Sequence, residues 1–539
     1  MRKIYLILFL VSSFAGFSQE DAWVYFKDKP DSQTYLDNPL TMLTQRALDR
    51  RTNQGIALDS KDVPVYQLYI DQVAASAGIT VKAKSKWFNC VHVRGTQANI
   101  TAVKLLPFVD KVDFANKNLT DLQSKLAKPK GKLNPVNTTS KTAANFNYGT
   151  SANQIQMLNG HLLHQSDYTG SGKIIAVMDG GFPGVNTAAP FARLRDNNLI
   201  LGGYDYVNRN TNFYSGVSHG TSVLSLMGGY VENSLIGTAP DASYYLFITE
   251  DDANENPVEL SNWVEAAEEA DRLGVDIITT SLGYNTFDDA KYDFTYNDMN
   301  GTSFMAKGVD AAFSRGIVCV VSAGNEGNKP WKYITTPADA VNALTVGAVK
   351  ADETYAVFSS IGPTPDGRVK PDVMAQGQNP YLSNDTGIIF NTGSGTSYAC
   401  PILAGMVACL WQALPGKTNQ EIKQLITQSA DRYAAPTPQL GYGVPDFNAA
   451  VANGLSVADF SKNDFVVYPN PANDFVSVNL SEGLDKGNII FYTVLGQKVL
   501  EEKITRESAS VSVKSLTAGI YFYKIESNGF SKNGKIIKQ

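Results

Sequence analysis

Lys173-Ile174-Ile175-Ala176-Val177-Met178-Asp179-Gly180-Gly181 is the stretch that decides the fold. Its run over 173–178 is too short for a helix and too continuously apolar for a strand with one wet face, so it reads as a strand covered on both sides. Runs of the same kind recur at 244–248, 275–279, 317–321 and 343–349, separated by helical segments. Buried strands alternating with helices predict an α/β, doubly wound parallel sheet over residues 148–455. Gly180-Gly181 turns the chain immediately after Asp179. The carboxylate therefore stands at the carboxyl end of its strand, the edge where open parallel sheets build their sites.

Two further strings belong with Asp179. Ser218-His219-Gly220-Thr221 leads into an apolar helical stretch at 223–227. Gly395-Thr396-Ser397-Tyr398-Ala399-Cys400-Pro401 opens a long buried helix, and puts the Ser397 hydroxyl where free N–H groups and the helix dipole favour negative charge. Pro401 reads as a first-turn proline, tolerated because first-turn N–H groups have no partner inside the helix. A hydroxyl, an imidazole and a carboxylate are the set that makes serine a nucleophile near neutral pH: histidine removes its proton during attack, and the carboxylate fixes the imidazole tautomer. Asn325, in Ser322-Ala323-Gly324-Asn325-Glu326-Gly327, follows the strand at 317–321, where its amide and the Ser397 N–H could donate to an oxyanion. His161 and His164 stand at i, i+3, but no carboxylate or cysteine motif accompanies them as a metal site needs.

Around this block the texture changes. Met1-Arg2-Lys3, the apolar run 4–10 and the small residues Ser12, Ser13, Ala15 and Gly16 read as a secretory signal peptide over 1–18, removed near Ser18 or Gln19. The run is too short to span about 30 Å of hydrocarbon. Residues 19–115 suggest a small α/β unit, with strands at 22–27 and 109–114, helices at 65–77 and 97–106, and a strand or hairpin at 79–93 that sets Trp87, Asn89, Val91 and Val93 on one face. Residues 116–147 are crowded with Lys, Asn, Thr, Ser and Pro and read as an exposed linker open to proteolysis. From 464 to 539, strands at 475–480, 488–494, 509–513 and 520–525 fit a small β-sandwich. The net charge of −6 gives no support to nucleic-acid binding. Cys90, Cys319, Cys400 and Cys409 sit in apolar surroundings and read as free buried thiols.

The order Asp, His, Ser and the residues around each make residues 148–455 resemble the subtilisin-like serine proteases, the subtilase or peptidase S8 family, whose triad runs in that order. The resemblance implies that Asp179 orients, His219 is general base and acid, Ser397 attacks, and Asn325 binds the oxyanion. Ser281-Leu282-Gly283 matches the family's extended substrate-binding segment, which pairs with peptide backbone by strand addition. Ala323 and Thr336-Pro337-Ala338 fall at the pocket for the residue before the scissile bond, an apolar slot for a large hydrophobic side chain. Three positions depart from the family: Ser222 where a second histidine is frequent, Gly180 where Thr or Ser is usual, and Cys400 for a common alanine. Residues 284–301, with Asp288, Asp289, Asp293 and Asp298, have three open readings: a solvated acidic loop, a structural calcium site, or a charged wall of the cleft. No metal ligand is identified and no organic cofactor is implied.

Residues 19–115 resemble the inhibitory prodomain of these proteases. Tyr468-Pro469-Asn470-Pro471-Ala472, Val494-Leu495-Gly496-Gln497-Lys498 and Leu516-Thr517-Ala518-Gly519-Ile520-Tyr521 make residues 464–539 resemble the C-terminal sorting domain of the type IX secretion system. Together these resemblances imply a secreted or cell-surface serine endopeptidase made as a zymogen. Its expected partners are polypeptide substrates, its own prodomain and the type IX machinery.

Overall fold

The computed structural model describes residues 19–119, 146–455, 465–468, 470–480, 486–493, 496–505, 510–527 and 530–539. The segment read as a signal peptide and most of the linker lie outside the described residues. No described helix is long and apolar enough to cross a membrane. The chain divides into two compact units, residues 1–453 and 454–539.

The first unit is built on a seven-stranded sheet in the order Val373–Gln376, Leu344–Val349, Val318–Ser322, Ile277–Thr280, Ile174–Asp179, Ser243–Ile248, Ile200–Asp205. Every neighbouring pair is parallel. The chain starts in the middle at Ile174–Asp179, runs to the edge at Ile200–Asp205, returns to lay Ser243–Ile248 between the two, then crosses over and builds the other side outward. The reversal falls between Ile174–Asp179 and Ile277–Thr280, and at such a switch point the carboxyl ends of the strands open a crevice. Ile200–Asp205 and Val373–Gln376 are the two strands that the apolar runs do not announce.

Both faces of the sheet are covered. One packs on the helices His219–Gly228 and Thr396–Ala413, in a core that includes Val177, Leu246, Val320, Val346, Leu403 and Val407. The other packs on Val258–Leu273 and Phe304–Ser314 around Ala176, Ile278, Cys319, Trp263 and Val309. Pro401 is deeper in its helix than the sequence reading places it. Thr396 is the first helical residue, so the N–H that proline lacks is the one that would bond the Ser397 carbonyl. Ser281 Oγ donates to that carbonyl instead, at 2.9 Å. The proline thus releases an acceptor that ties the helix to the end of the Ile277–Thr280 strand.

The small N-terminal unit forms a four-stranded antiparallel sheet in the order Thr80–Ser85, Cys90–Thr96, Gln19–Phe26, Val109–Phe114, with helices Gln67–Ala74 and Gln97–Val103. The segment 79–93 is a hairpin. Asn89 adopts φ 51° in its turn, so Trp87 and Asn89 belong to the reversal and do not share a strand face with Val91 and Val93. Its outer face caps the large domain: Trp23 stacks on Phe304 with ring centroids 4.7 Å apart, and Trp23 Nε1 donates to Ser261 Oγ at 2.9 Å.

An ion cluster supports this docking. The helix Gln45–Asn53 sends Arg50 to Asp271 at 2.5 Å and Arg51 to Asp271 at 2.7 Å and Asp62 at 2.8 Å, all buried. Burial alone would raise the Asp271 carboxyl; Arg51, Lys86 and Arg50 outweigh it and hold it below its ordinary value. Breaking a buried ion cluster by removing one partner strands the others without countercharge. Asp271→Ala is therefore expected to destabilise the full chain by about 3–5 kcal/mol, read as a lower urea midpoint. A change within about 1 kcal/mol would show that the cluster adds no more than an exposed ion pair does.

The second unit has two antiparallel sheets, one of Phe465–Tyr468, Phe475–Leu480 and Ser510–Ser512 and one of Lys498–Thr505, Lys486–Tyr492, Gly519–Ser527 and Phe530–Lys538. Both contribute to one core that includes Val476, Val478, Ile489, Phe491, Val511 and Ile525.

Candidate active site

Asp179 is the last residue of its strand and fully buried. Its Oδ1 accepts from Gly180 N–H and contacts His219 Nδ1, both at 2.8 Å, while its Oδ2 has no partner among the described residues. His219 is the first residue of the helix His219–Gly228. About a third of its side chain is accessible, against none of Asp179, so the imidazole is held at its rear and open at its front. Gly220 makes this approach feasible. A Cβ there would lie 2.4 Å from the Gly181 carbonyl and 2.9 Å from Asp179 Cβ.

Ser397 is the second residue of the helix Thr396–Ala413. Its Oγ lies 3.4 Å, and Asn325 Nδ2 3.6 Å, from the point a Cβ on Gly395 would occupy, so hydroxyl and amide border one small space. Thr396 orients that amide: its N–H donates to Asn325 Oδ1 at 2.8 Å and its hydroxyl at 3.1 Å, which turns Nδ2 the other way. The adjacent Tyr398 ring sits 5.9 Å from the His219 ring. Ser397 Oγ and His219 Nε2 make no hydrogen bond to each other in this arrangement, a looseness frequent in unliganded sites.

Ser281, Leu282 and Gly283 continue the Ile277–Thr280 strand beyond the sheet edge. Gly283 is exposed, and Tyr284 pairs with Thr336 through both backbone groups, at 2.8 and 3.1 Å. Burial works against the His219 imidazolium, but Asp179, by charge and hydrogen bond, with Glu250 and Asp252 beyond, raises it to about 9.

Other sequence-marked residues find local uses. Ser222 Oγ donates to the Ser383 carbonyl at 3.0 Å, and Cys400 Sγ lies 3.6 Å from the Thr280 carbonyl. All four cysteines are buried and free. His164 Nδ1 meets the Tyr148 hydroxyl at 2.8 Å and Nε2 the Thr238 carbonyl at 3.0 Å; burial lowers its pKa to about 4, and its place is in the core. Among the described residues no group of three His, Cys, Asp or Glu could hold a metal ion.

The segment 284–301 is neither a free loop nor a bare wall. Asp293 and Asp298 accept the N–H groups of Phe287 and Thr295. Tyr292 OH accepts from Asp21 N–H at 3.1 Å, Lys291 pairs with Glu20 at 3.2 Å, and Lys117 with Asp298 at 2.7 Å. The insert thus grips both ends of the N-terminal unit. Sequence reading missed this, together with Thr396, which precedes Ser397, and Glu250, which lies two residues past the run 244–248 at the same edge as Asp179.

A serine, a histidine and a carboxylate at the carboxyl edge of a doubly wound sheet are the groups that a serine hydrolase site calls for. The chain belongs to the subtilase family, whose model matches residues 170–444. Residues 21–132 match the peptidase S8 propeptide domain of Bacteroidota, and residues 466–539 the secretion system C-terminal sorting domain. Serine protease AprX of Bacillus subtilis is 31% identical over 309 residues, 52% of this chain and 66% of its own length. Subtilisin NAT of Bacillus subtilis subsp. natto is 30% identical over 301 residues, 55% of this chain and 70% of its own. A crystal structure of MycP1 from Mycobacterium smegmatis is 20% identical, covers 59% of this chain and 89% of its own, and has a TM-score of 0.44. The protein is a serine endopeptidase made with a propeptide as a zymogen, and its sorting domain makes it a secreted or cell-surface protein.

Two outcomes follow from the geometry. Gly220→Ala should lower kcat on a peptide substrate by at least about 100-fold, because the new Cβ displaces Asp179 from His219; wild-type turnover would show that this approach is dispensable. Only the neutral imidazole can accept a proton, so kcat/KM of the processed enzyme should rise with pH as His219 deprotonates. The midpoint is expected above the ordinary 6.5 and toward 9, and a midpoint at or below 6.5 would contradict the assigned environment.

Proposed function

We propose that Asp179, His219 and Ser397 form the catalytic triad, with Asn325 and the Ser397 N–H as oxyanion donors and Ser281–Gly283 as the strand that holds the substrate. The observation that carries this is the 2.8 Å contact between Asp179 Oδ1 and His219 Nδ1. With Nδ1 engaged by a buried carboxylate, Nε2 is the free nitrogen and faces the open side. When substrate binds, Nε2 takes the proton of Ser397 Oγ as that oxygen attacks the scissile carbonyl. The resulting oxyanion meets the Asn325 amide, already turned toward it by Thr396. His219 then gives its proton to the leaving amine, and water repeats the route to release the acyl group. The backbone of exposed Gly283, without a hydrogen-bond partner among the described residues, suits strand addition by an extended polypeptide.

The N-terminal unit acts in this reading as an intramolecular inhibitor. Its docking on Val258–Leu273 and Phe304–Ser314 and its Lys117–Asp298 pair support it, since the pair brings its last described turn to the insert that follows the substrate strand. The C-terminal unit serves as the element read by the type IX machinery.

A serine-reactive fluorophosphonate tests the assignment. The processed wild type should be labelled and Ser397→Ala should not, and Ser397→Ala should stay unprocessed. Asn325→Ala should keep labelling but lose about 100- to 1,000-fold in turnover, the range that subtilisin itself shows for loss of such a donor. Labelling that persists in Ser397→Ala would overturn the assignment.

A further inference from the structure

The strand Ser243–Ile248 pairs with Ile174–Asp179 so that Ile248 stands opposite Asp179, and Thr249 N–H donates to the Asp179 carbonyl at 3.1 Å. Glu250 follows at that same edge. Its carboxylate borders the space beside Gly180: a Cβ on residue 180 would lie 2.7 Å from Val217 Cγ2 and 3.3 Å from Glu250 Oε2. Asp251, Asp252, Glu255 and Glu259 crowd the next nine residues. No ion pair among the described residues includes any of the five; Arg94 pairs with Asp21, Arg209 with Glu265 and Lys291 with Glu20, and His219 is the cation whose charge reaches Glu250. Burial, then Asp179, pushes the Glu250 carboxyl up to about 8, and the charge of His219 offsets only part of that rise.

A second observation is independent of these charges. Tyr284, the residue after the substrate segment, is 1% exposed, and its hydroxyl has no hydrogen-bond partner among the described residues. Burial, with the charges of Glu259, Glu250, Glu255 and Asp179, holds that hydroxyl protonated, so it remains a donor. Thr249 Oγ1 and Asp179 Oδ2 are also buried without partners. Buried polar atoms are rarely left unpaired, and three around one set of carboxylates mark a place built for a polar guest. The guest must carry positive charge and donate several hydrogen bonds.

In the proposed function a substrate strand lies along Ser281–Gly283 with its scissile carbonyl at Ser397, and Tyr284 directly follows that segment. Resting on that reading of the site, we propose that the recess beside Gly180 receives a lysine or arginine side chain of the polypeptide substrate, on the acyl side of the scissile bond, with Glu250 as its partner. The chain carries such a substrate itself. Residues 122–145, the end of the stretch matched by the propeptide model and the segment that follows it, include Lys125, Lys128, Lys130, Lys132 and Lys141 and no acidic residue. The recess therefore suits the enzyme to its own activation segment as well as to basic polypeptides met outside.

Matched internally quenched peptides test this with the processed enzyme. Each carries lysine or glutamine at one of the four positions on the acyl side. At one position the wild type should favour lysine by about ten-fold in kcat/KM, the size of a partly solvated charge-assisted contact. Glu250→Gln should bring that ratio below about two-fold, and Glu250→Asp should restore part of it; ratios within one variant cancel any loss of overall activity. Equal cleavage of lysine and glutamine peptides at all four positions, or a ratio unchanged in Glu250→Gln, overturns the proposal. Fluorophosphonate labelling keeps the two readings apart: a labelled enzyme without the preference overturns the recess alone, and an unlabelled one overturns the catalytic assignment with it.

Discussion

A parallel sheet has to be buried on both faces, and most of this structure follows from meeting that requirement. Seven strands with apolar residues on both sides need a helical layer above and below. The helix Thr396–Ala413 is buried almost along its whole length as part of one layer, so its N-terminus can reach water only at the carboxyl edge of the strands. That is where Asp179 ends its strand and His219 begins its helix. The three side chains proposed as the triad, far apart in the chain, come to one edge because the layers leave it open. Pro401 and Ser281 refine the meeting, since the carbonyl that proline frees is the one Ser281 holds.

The other layer has a different fate. Its helices Val258–Leu273 and Phe304–Ser314 are covered by the N-terminal unit through Trp23 and Trp87, and sealed by the Arg50, Arg51 and Asp271 cluster. A buried ion cluster is a poor source of net stability, but it is unforgiving of partial loss, and it favours one docked geometry over slipped ones. The insert 284–301 adds grip at both ends of the same unit. Cleavage in the joining segment leaves these contacts in place, so release of the propeptide domain has to expose Asp271 together with Glu268, which accepts from Ser85 Oγ and Trp87 N–H.

What could be read in the sequence follows from how local its cause is. The runs around Ile175, Leu246, Ile278, Val320 and Val346 are buried on both faces and therefore announce themselves. The strand Ile200–Asp205 contains Gly202-Gly203 and does not. The helix Gln45–Asn53 is hidden because its buried positions include Arg50 and Arg51, whose partner Asp271 lies some 220 residues away. Asp179, His219, Ser397 and Asn325 stand at element ends with glycines beside them, which is a local signature. Glu250 and Tyr284 have none: their meaning comes from Gly180 leaving room and from a hydroxyl without a partner, both facts of packing.

The central claim is that Asp179, His219 and Ser397 act as one unit at the sheet edge. Turnover of Ser397→Ala, His219→Ala and the double variant, each matured with propeptide supplied separately and processed by added wild-type enzyme that is then removed, measures this directly. Each single variant should fall by about 10⁶ in kcat and the double should fall no further, as subtilisin itself behaves. Losses that add between the two sites, or a His219→Ala enzyme close to wild type, would contradict it.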